Sequence, residues 1–539
     1  MTTETAAPHR PPLTPARDSF WYLVHAEWTK FRTVRGWVIA AGVTIVAIAA
    51  GAFLGADVSG GCTTGHGTIS GTSSETSSGT SGGTSAAACP AQPTGPGGEP
   101  VQDVFFFAHQ PVTGNGTITV QLTSLTGQVS VCPNQTTPGL QPWSKAGIII
   151  KQNTSPGSAY AAMMVTGSNG VRMQWDYVDD TPGLAGRVSA SSPRWLRLVR
   201  DGGTITGYDS ADGTHWTRVG TVTLEGLTST VQAGLFAAGA AGGSPYADNF
   251  GTLATGVFRH VGLSWPATGW TGTNVGGAGP NAPVPPGSFR PSASALTVSG
   301  FGDISPAAGN TYAGNGQSLQ RALAGTFFGL IPLIVVAAMF MTAEYRRRLI
   351  GVSLTAAPRR GRLLAAKAVV IGAVGFVAGL VAATVALAVG KPLLLRAGPL
   401  AWPASLLTEA RMVVGTAALL AVAAVLALAI GALVRRSAAA VALVILVILV
   451  PRLLAFNPLP GSQPHGSGPG GGGGWPLQFT PAAALSVQQA VPRFHQLSAV
   501  YSLTAGYYPL APWAGLAVEC AWAAAALALA YYLLRRRDA

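Results

Sequence analysis

Residues 412–434 read MVVGTAALLAVAAVLALAIGALV, a run of 23 residues without a charged side chain. The hydrocarbon core of a bilayer is about 30 Å thick, and a helix needs about 20 apolar residues to cross it. Hydrocarbon offers no partner for backbone amides, so a run that crosses it must be helical. This stretch therefore predicts a membrane-spanning helix.

Five more runs have the same character, and together the six predict an α-helical polytopic membrane protein. The fifth of the six is the weakest, because its apolar stretch ends at Val450 and Pro451 and Arg452 follow. Charged residues make up only 10% of the 539 residues, against roughly 25% in soluble proteins, which excludes an ordinary cytosolic enzyme. The five further runs are 37–54, 323–341, 368–389, 437–456 and 509–534.

Six spans place both termini on one side of the membrane, and the basic residues indicate which side. Residues 56–320 carry 10 Lys and Arg against 13 Asp and Glu, so the net charge of +13 comes from the rest of the chain. The flanks on the terminal side hold 17 basic residues and the opposite flanks hold 6. We predict a plasma-membrane protein with cytoplasmic termini and an extracytoplasmic segment at 56–320. Short clusters at span ends are typical of membrane anchors, so no nucleic-acid partner is expected.

The amino-acid composition of the extracytoplasmic segment changes twice along the chain. Residues 55–100 are rich in Gly, Ser and Thr and predict a flexible linker, and residues 263–320 predict a second, Gly/Pro-rich linker. Between them, residues 101–262 form short β-branched runs separated by turn residues. Residues 195–200, WLRLVR, alternate apolar and basic side chains as a strand does, and Asp-Gly-Gly at 201–203 closes a hairpin. This pattern predicts an inserted all-β sandwich.

The run WLRLVRDGGTITGYDSADGTHWTRVGTVTL, with WSKAGIIIK before it and YADNF after it, resembles the concanavalin A-like lectin/glucanase sandwich of secreted bacterial proteins. The resemblance implies a domain that binds an extracellular glycan or serves as a structural module. Trp175, Asp176 and Tyr177 are the candidate glycan-binding residues, because a sugar site combines an aromatic platform with hydrogen-bonding side chains. The alternative is that the tryptophans are core aromatics. Asp179 and Asp180 are adjacent in a turn and do not make a convincing glycosidase pair.

Four cysteines are distributed over two environments. Cys62, Cys89 and Cys132 lie in the extracytoplasmic segment, where oxidation is favoured. A Cys62–Cys89 disulfide is one candidate pairing, and Cys132 is the competing partner. Cys520 lies inside the last span and is expected to be a buried free thiol. No CxxC or His-rich pattern indicates a metal site.

Two segments at the predicted cytoplasmic face carry the functional signal. Residues 20–37, FWYLVHAEWTKFRTVRGW, place apolar residues on one helical side, whereas Glu27, Lys30 and Arg32 are polar. This pattern predicts an amphipathic helix in contact with membrane lipids, and a simple extension of the first span is the alternative. The loop at 343–367 holds seven basic residues against one carboxylate. Its alternative interpretation is a topological anchor with no further role.

The segments AEWTKFRTVRGW, TAEYRRRL with TAAPRRGRLLAAK, and LRRRDA, in this order around six spans, resemble the membrane subunits of type-2 ABC exporters, especially those of high-GC actinobacteria. The resemblance implies a connector helix at 20–36, a coupling helix at 344–362 that docks onto an ATPase, and a short re-entrant element within 478–508. The insertion between the first two spans departs from that family pattern. The implied connector residues are Glu27, Trp28, Lys30 and Arg32, and the implied coupling residues are Glu344, Tyr345, Arg346, Arg347, Arg348, Pro358, Arg359 and Arg360.

The chain contains no GxxxxGK[ST] phosphate-binding loop, so we expect neither catalysis nor a cofactor in this polypeptide. The resemblance implies ATP on a separate ABC ATPase subunit and a second permease chain, identical or related. Closure of the ATPase dimer would move the coupling helices and change which side of the bundle is open. Two other functions stay open: a membrane-tethered glycan-binding receptor or cell-wall anchor without transport, and an ion-driven carrier. The carrier is disfavoured because Glu519 is the only carboxylate inside a span.

The predicted organisation is a cytoplasmic tail with the connector helix (1–36), the first span (37–54), a linker (55–100), the β-sandwich (101–262), a second linker (263–320) and a five-span bundle (321–539) with a coupling loop (343–367) and an outer loop (457–508).

Overall fold

The computed structural model describes most of the chain as a helical bundle with an all-β domain between its first two long helices. The described residues are 20–57, 93–132, 135–240, 252–266, 268–277, 287–307, 318–346, 360–396, 402–451, 453, 478–492, 494–496 and 510–537. In that part of the chain the α-helices are α1 (Phe20–Thr33), α2 (Arg35–Asp57), α3 (Thr326–Arg346), α4 (Arg360–Arg396), α5 (Leu406–Val434), α6 (Ser437–Ile448) and α7 (Pro512–Arg537), and 3-10 helices cover Leu319–Leu323 and Pro481–Gln488.

The all-β domain has seventeen strands in the described residues. They are β1 (Val101–Asp103), β2 (Phe105–Thr113), β3 (Gly116–Cys132), β4 (Gln135–Pro138), β5 (Lys145–Lys151), β6 (Tyr160–Thr166), β7 (Val171–Trp175), β8 (Asp179–Pro182), β9 (Arg194–Asp201), β10 (Thr204–Ser210), β11 (Thr217–Thr223), β12 (Thr230–Ala238), β13 (Thr252–Leu263), β14 (Thr271–Val275), β15 (Ser288–Pro291), β16 (Leu296–Gly300) and β17 (Ile304–Pro306).

Two antiparallel sheets pack face to face. One runs β11-β10-β9-β3-β13-β16-β15 with β4 beside β3, and the other runs β14-β2-β12-β5-β6-β7-β8. Strand β9 alternates buried and half-buried residues, and Leu196 and Leu198 enter the core. The predicted separation of apolar and basic residues onto opposite faces is wrong, because Arg200 is buried on the same face as these two leucines. Strand β5 is buried along its whole length because it lies in the middle of its sheet. The predicted β-sandwich is therefore present.

The predicted second linker at 263–320 is wrong, because β14 to β17 lie within it. These strands extend both sheets, and β17 pairs with β1 in a separate two-stranded ribbon. They were missed because they are short, are separated by Gly/Pro-rich segments and include edge strands, where Pro291 is tolerated. The sandwich thus continues to Pro306 and does not end at 262.

Two buried lysines hold the β1–β17 ribbon to the sandwich. Lys151 at one end of β5 lies 2.8 Å from Asp103, and Lys145 at the other end lies 2.7 Å from Asp303. Both lysine side chains are completely buried. Because breaking a buried ion pair is strongly destabilising, these contacts fix the two ends of the domain next to each other.

Five helices of the described residues are long and apolar enough to cross a membrane: α2, α3 with the preceding 3-10 turn, α4, α5 and α7. The predicted fifth span at 437–456 is only partly realised, because α6 has 12 residues. Helical hydrogen bonding nevertheless resumes, since Leu453 donates its amide to Leu449.

The helices approach closely where glycines face each other. A Cβ on Gly51 of α2 would overlap the backbone of Gly325 just before α3, and a Cβ on Gly379 of α4 would lie 2.7 Å from Ala417 Cα of α5. Small residues at such crossings are how membrane helices pack. Helix α5 is the most buried of the five long helices and forms the centre of the bundle. The Cys520 side chain is exposed on α7, contrary to the expected buried thiol.

A buried ionic cluster as the candidate functional site

Three helices bring four charged side chains together at one end of the bundle. Helix α1 supplies Glu27 and Lys30, α3 supplies Glu344 near its last residue, and α4 supplies Lys367. The Lys367 ammonium lies 2.7 Å from Glu27 Oε2 and 2.7 Å from Glu344 Oε1. The Lys30 ammonium lies 2.7 Å from Glu27 Oε1 and 3.1 Å from Glu344 Oε1. We call these four residues the ionic cluster.

The ionic cluster is electrically balanced and largely removed from solvent. Side-chain exposure is 1% for Lys367, 2% for Glu27 and 11% for Glu344, whereas Lys30 keeps 45%. Burial alone lowers the pKa of Lys30, but its hydrogen bond to Glu27 and the charges of both carboxylates outweigh burial and raise that pKa. The two carboxylates therefore stabilise the ammonium form of Lys30.

An aromatic wall closes the apolar side of the ionic cluster. Phe340 lies one turn before Glu344 on the same face of α3, and the Lys367 ammonium is 4.7 Å from its ring centroid. Phe31 of α1 and Trp37 of α2 pack edge-on against the same ring, at 6.0 Å and 5.2 Å between centroids. Aromatic packing of this kind excludes water and strengthens the ion pairs.

The geometry revises the predicted orientation of α1. Glu27 and Phe31 are one turn apart and form the buried face of the helix, so Glu27 does not lie on its polar side. Trp28 is 43% exposed and stacks on Phe31, and Arg32 is exposed. Only the Glu27 and Lys30 members of the predicted connector set enter the cluster. Helix α1 packs against α4 as well as α2, so it is not a simple extension of the first span.

The predicted coupling loop starts and ends at this cluster. Glu344 lies near the first residue of this loop (343–367) and Lys367 is its last residue, so their contact closes the base of the loop. Residues 347–359, which include the predicted Arg347, Arg348, Pro358 and Arg359, lie outside the described residues, and Arg346 is the last residue of α3.

Two further contacts place other basic residues at the same end of the bundle as the ionic cluster. Arg360 donates to the carbonyl of Leu534 near the end of α7, at 2.6 Å. The Tyr345 ring lies 5.1 Å from the Arg435 guanidinium, between α5 and α6. The described basic residues before α2, at the start of α4, after α5 and at the end of α7 therefore lie at one end, as the charge pattern predicts.

The opposite end holds the predicted re-entrant segment. All eight residues of the 3-10 helix Pro481–Gln488 are buried. A Cβ on Gly515 of α7 would overlap the Ala483 carbonyl, and the Gln488 amide donates to the Thr326 and Thr416 hydroxyls at 2.9 and 3.1 Å. This segment therefore penetrates the bundle between α3, α5 and α7. The part of the predicted element at 497–508 lies outside the described residues.

The predicted glycan-binding residues occupy the turn between β7 and β8. Asp176 and Tyr177 both have positive φ, 44° and 69°, and Trp175 packs against the sandwich core. The Tyr177 side chain points inward and is buried, and its hydroxyl donates to Asp103 at 2.7 Å. Tyr177 is therefore a core residue and no surface platform, which leaves Trp175 and Asp176 as candidates.

The same turn contacts the bundle. The Gln496 amide donates to the backbone carbonyls of Tyr177 and Val178, at 3.1 and 3.3 Å. Gln496 is 3% exposed. The sandwich is thus docked through its β7–β8 turn onto the segment that follows the buried 3-10 helix. Cys62 and Cys89 lie outside the described residues, so their pairing stays a prediction.

Sequence reasoning missed three members of this site. In the sequence Lys367 is one of seven loop cations, and it differs from the others in that an apolar span follows it directly. Phe31 and Phe340 look like ordinary apolar positions. The available signal for Glu27 was its place three residues before Lys30 in an otherwise apolar helix, which is the spacing of a helical ion pair.

The comparisons with known proteins bear on both parts of the chain. A family model described as "ABC-2 family transporter protein" matches residues 227–539. No curated protein matches the chain. Solved structures give weak similarities: a functionally unknown protein from Saccharomyces cerevisiae (14% identity, 33% of this chain and 83% of that one, TM-score 0.22), a GH43 protein from Bacillus licheniformis (16%, 23% and 24%, TM-score 0.16) and a scytalido-glutamic peptidase (7%, 36% and 98%, TM-score 0.25). At these TM-scores the structural similarities carry no argument.

The family match extends beyond the bundle. It begins at residue 227, before β12, and omits α1 and α2, although α2 packs against α3 and α4 in the bundle. It nevertheless covers more than half of the chain, including the helices that carry Glu344 and Lys367. This multi-pass membrane protein belongs to the ABC-2 family of transporter proteins.

Proposed function

We propose that this chain is the permease subunit of an ATP-driven ABC exporter, and that the ionic cluster couples its bundle to a separate ATPase subunit. Membership of the family implies an ABC ATPase partner. The observation that carries the proposal is the contact of Lys367 with Glu27 and Glu344, because it ties three helices together at the base of the coupling loop. ATP is expected on the partner subunit, and a second permease chain, identical or related, completes the transporter.

The proposed mechanism follows from the rigidity of the cluster. A push on residues 347–359 by the ATPase would act on the end of α3 and the start of α4, which the Glu344–Lys367 pair holds together. Glu27 extends that unit to α1, so the three helices would move as one body. Breaking a buried ion pair is costly, so the unit would survive forces that rearrange more weakly packed elements.

The proposed orientation places the ionic cluster on the cytoplasmic side. Four basic flanks lie at its end of the bundle, which supports cytoplasmic termini and an extracytoplasmic sandwich. The bundle would then alternate between openings at its two ends. The direction of transport, export, follows only from the resemblance of the sequence to exporters.

Glycan binding by the sandwich is a separate part of the proposal. Trp175 and Asp176 at the β7–β8 turn are the remaining candidates for glycan binding. The same turn contacts the bundle through Val178, so a bound glycan could alter that contact. A titration of the intact protein with cell-wall oligosaccharides tests this part, with Trp175→Ala as the variant. Saturable binding that persists when transport is abolished would favour a tethered glycan receptor.

The coupling proposal is tested by substitution at both ends of the bundle. The chain is purified from native membranes with its ATPase and reconstituted into vesicles, and ATP hydrolysis and opening of the bundle, followed by the accessibility of introduced cysteines, are measured. Lys367→Met is expected to leave the ATPase bound and hydrolysing but to abolish the nucleotide-dependent change in accessibility. Lys391→Met is the matched control, because Lys391 pairs with Glu409 at 2.6 Å at the opposite end, where both are partly exposed.

Two results would overturn the proposal. One is purification of the chain without any ATPase subunit. The other is a nucleotide-dependent accessibility change in Lys367→Met equal to that of wild type and the control. The double variant Glu344→Lys, Lys367→Glu checks the geometry of the ionic cluster. It restores the ion pair between positions 344 and 367 but places the new carboxylate at 367 beside Glu27.

A further inference from the structure

A small cavity lies among the helices in the half of the bundle that contains the buried 3-10 helix. Its walls are apolar side chains of α3, α5, the end of α6 and the 3-10 helix, among them Phe327, Leu419 and Leu449. Its volume of about 10 Å³ holds about one water-sized group. Within the described residues, Glu519 of α7 is the one polar residue in its lining.

Glu519 is buried without compensation in the described part of the chain. Glu519 is 1% exposed, and its Oε2 atom has no hydrogen-bond partner within the described residues. An isolated buried carboxylate costs several kcal/mol, so proteins place one inside a membrane bundle for a function. The ionic cluster cannot satisfy this carboxylate, because it lies at the other end of the bundle.

The chemistry of the cavity limits what Glu519 can bind. A calcium or magnesium ion needs six or more oxygen ligands, and one carboxylate among hydrocarbon walls does not supply them. A primary ammonium group has the size of a water molecule, carries one positive charge and forms strong hydrogen bonds to a carboxylate. The surrounding Phe and Leu side chains are suited to an alkyl chain attached to that group.

We propose that Glu519 and its cavity bind the primary ammonium group of an amphiphilic amine. This inference rests on the proposed transport function, of which it names the substrate class: a lipid-soluble molecule with a small cationic head. The walls come from α3, α5, α6 and α7, so helix movements that widen the cavity would admit the rest of the molecule. The buried 3-10 helix contributes Leu485 and separates the site from the extracytoplasmic end.

Thermal shifts test the proposal on the intact chain in lipid nanodiscs, without ATPase or nucleotide. The probes are dodecylamine, dodecanol as the neutral analogue and dodecyltrimethylammonium as the cation with a bulky head. Dodecylamine is expected to raise the melting temperature of wild type with an apparent affinity about tenfold higher than that of either analogue. Glu519→Gln is expected to remove this difference, whereas Glu409→Gln, at an exposed ion pair, keeps it.

A second measurement needs no variant. Dicyclohexylcarbodiimide modifies carboxyl groups in apolar surroundings, and peptide mass spectrometry reads its attachment at Glu519. Dodecylamine should leave Glu519 unmodified, with neither the carbodiimide adduct nor the amide that an activated carboxyl forms with a primary amine as the urea leaves, and the two analogues should not. Equal effects of all three probes, or dodecylamine binding unchanged in Glu519→Gln, would overturn the site. Because these assays use no ATPase, a negative result leaves the coupling proposal intact, and loss of coupling in Lys367→Met does not affect them.

Discussion

Replacing Lys367 with methionine removes one cation from between two buried carboxylates and keeps a similar side-chain length. The substitution leaves the buried Glu27 carboxylate and the nearly buried Glu344 carboxylate without their 2.7 Å partner. Breaking a buried pair in this way costs about 3–5 kcal/mol. Lys30 still contacts both carboxylates but is 45% exposed, so it offsets only part of this cost. The expected net loss is about 2–3 kcal/mol.

Hydrogen exchange of the α1 amides measures this loss locally, because α1 is held to α4 through the pair. At 1.36 kcal/mol per factor of ten, the exchange rate of α1 should rise roughly 30- to 150-fold. Lys391→Met removes an exposed pair worth about 0–1 kcal/mol and should change exchange at its own site by about fivefold at most. If exchange in α1 is as slow in Lys367→Met as in the control, the ionic cluster does not hold α1 and the reasoning fails.

Three further predictions concern the sandwich and its docking. Burial raises the pKa of Asp176, so its ionisation weakens the folded state progressively above pH 3.8. Asp176→Asn should therefore raise the melting temperature at pH 7 and hardly change it near pH 3. Calorimetry at both pH values can check this. Gly234→Ala places a Cβ against the Ala108 carbonyl of the neighbouring strand, which should cost about 3 kcal/mol and expose the sandwich to limited proteolysis. Gln496→Ala removes two hydrogen bonds to the β7–β8 turn, so amide exchange of that turn should rise about tenfold without a change in the core of the sandwich.

The sandwich and the bundle are linked through chain ends and a docked turn. Strands β1 and β17 pair with each other, and the chain leaves this ribbon toward α2 on one side and α3 on the other. The buried Lys145 and Lys151 fix the ribbon to the body of the sandwich. The turn held by Gln496 is a further contact between the sandwich and the bundle.

Much of the architecture follows from local properties of the sequence. Long uncharged runs can only be helical in hydrocarbon, so the spans were predicted from their composition, and their flanking arginines indicated one common end. Alternation in WLRLVR and the Asp-Gly-Gly turn gave the strand type of the sandwich. The strands after residue 263 were missed because short segments rich in Gly and Pro have no periodicity of their own and become strands only by pairing with longer neighbours.

The sequence by itself determined which segments lie in the membrane and which form strands, because hydrophobicity and periodicity are properties of neighbouring residues. Only the tertiary structure decided that Lys367 meets Glu27, 340 residues away in the chain, that Tyr177 points into the core, and that Glu519 borders a cavity with otherwise apolar walls. In the sequence, a charged or aromatic residue looks the same whether it lies on the surface or in a buried cluster. Their role depends on what packs against them, and that is fixed by contacts between distant segments.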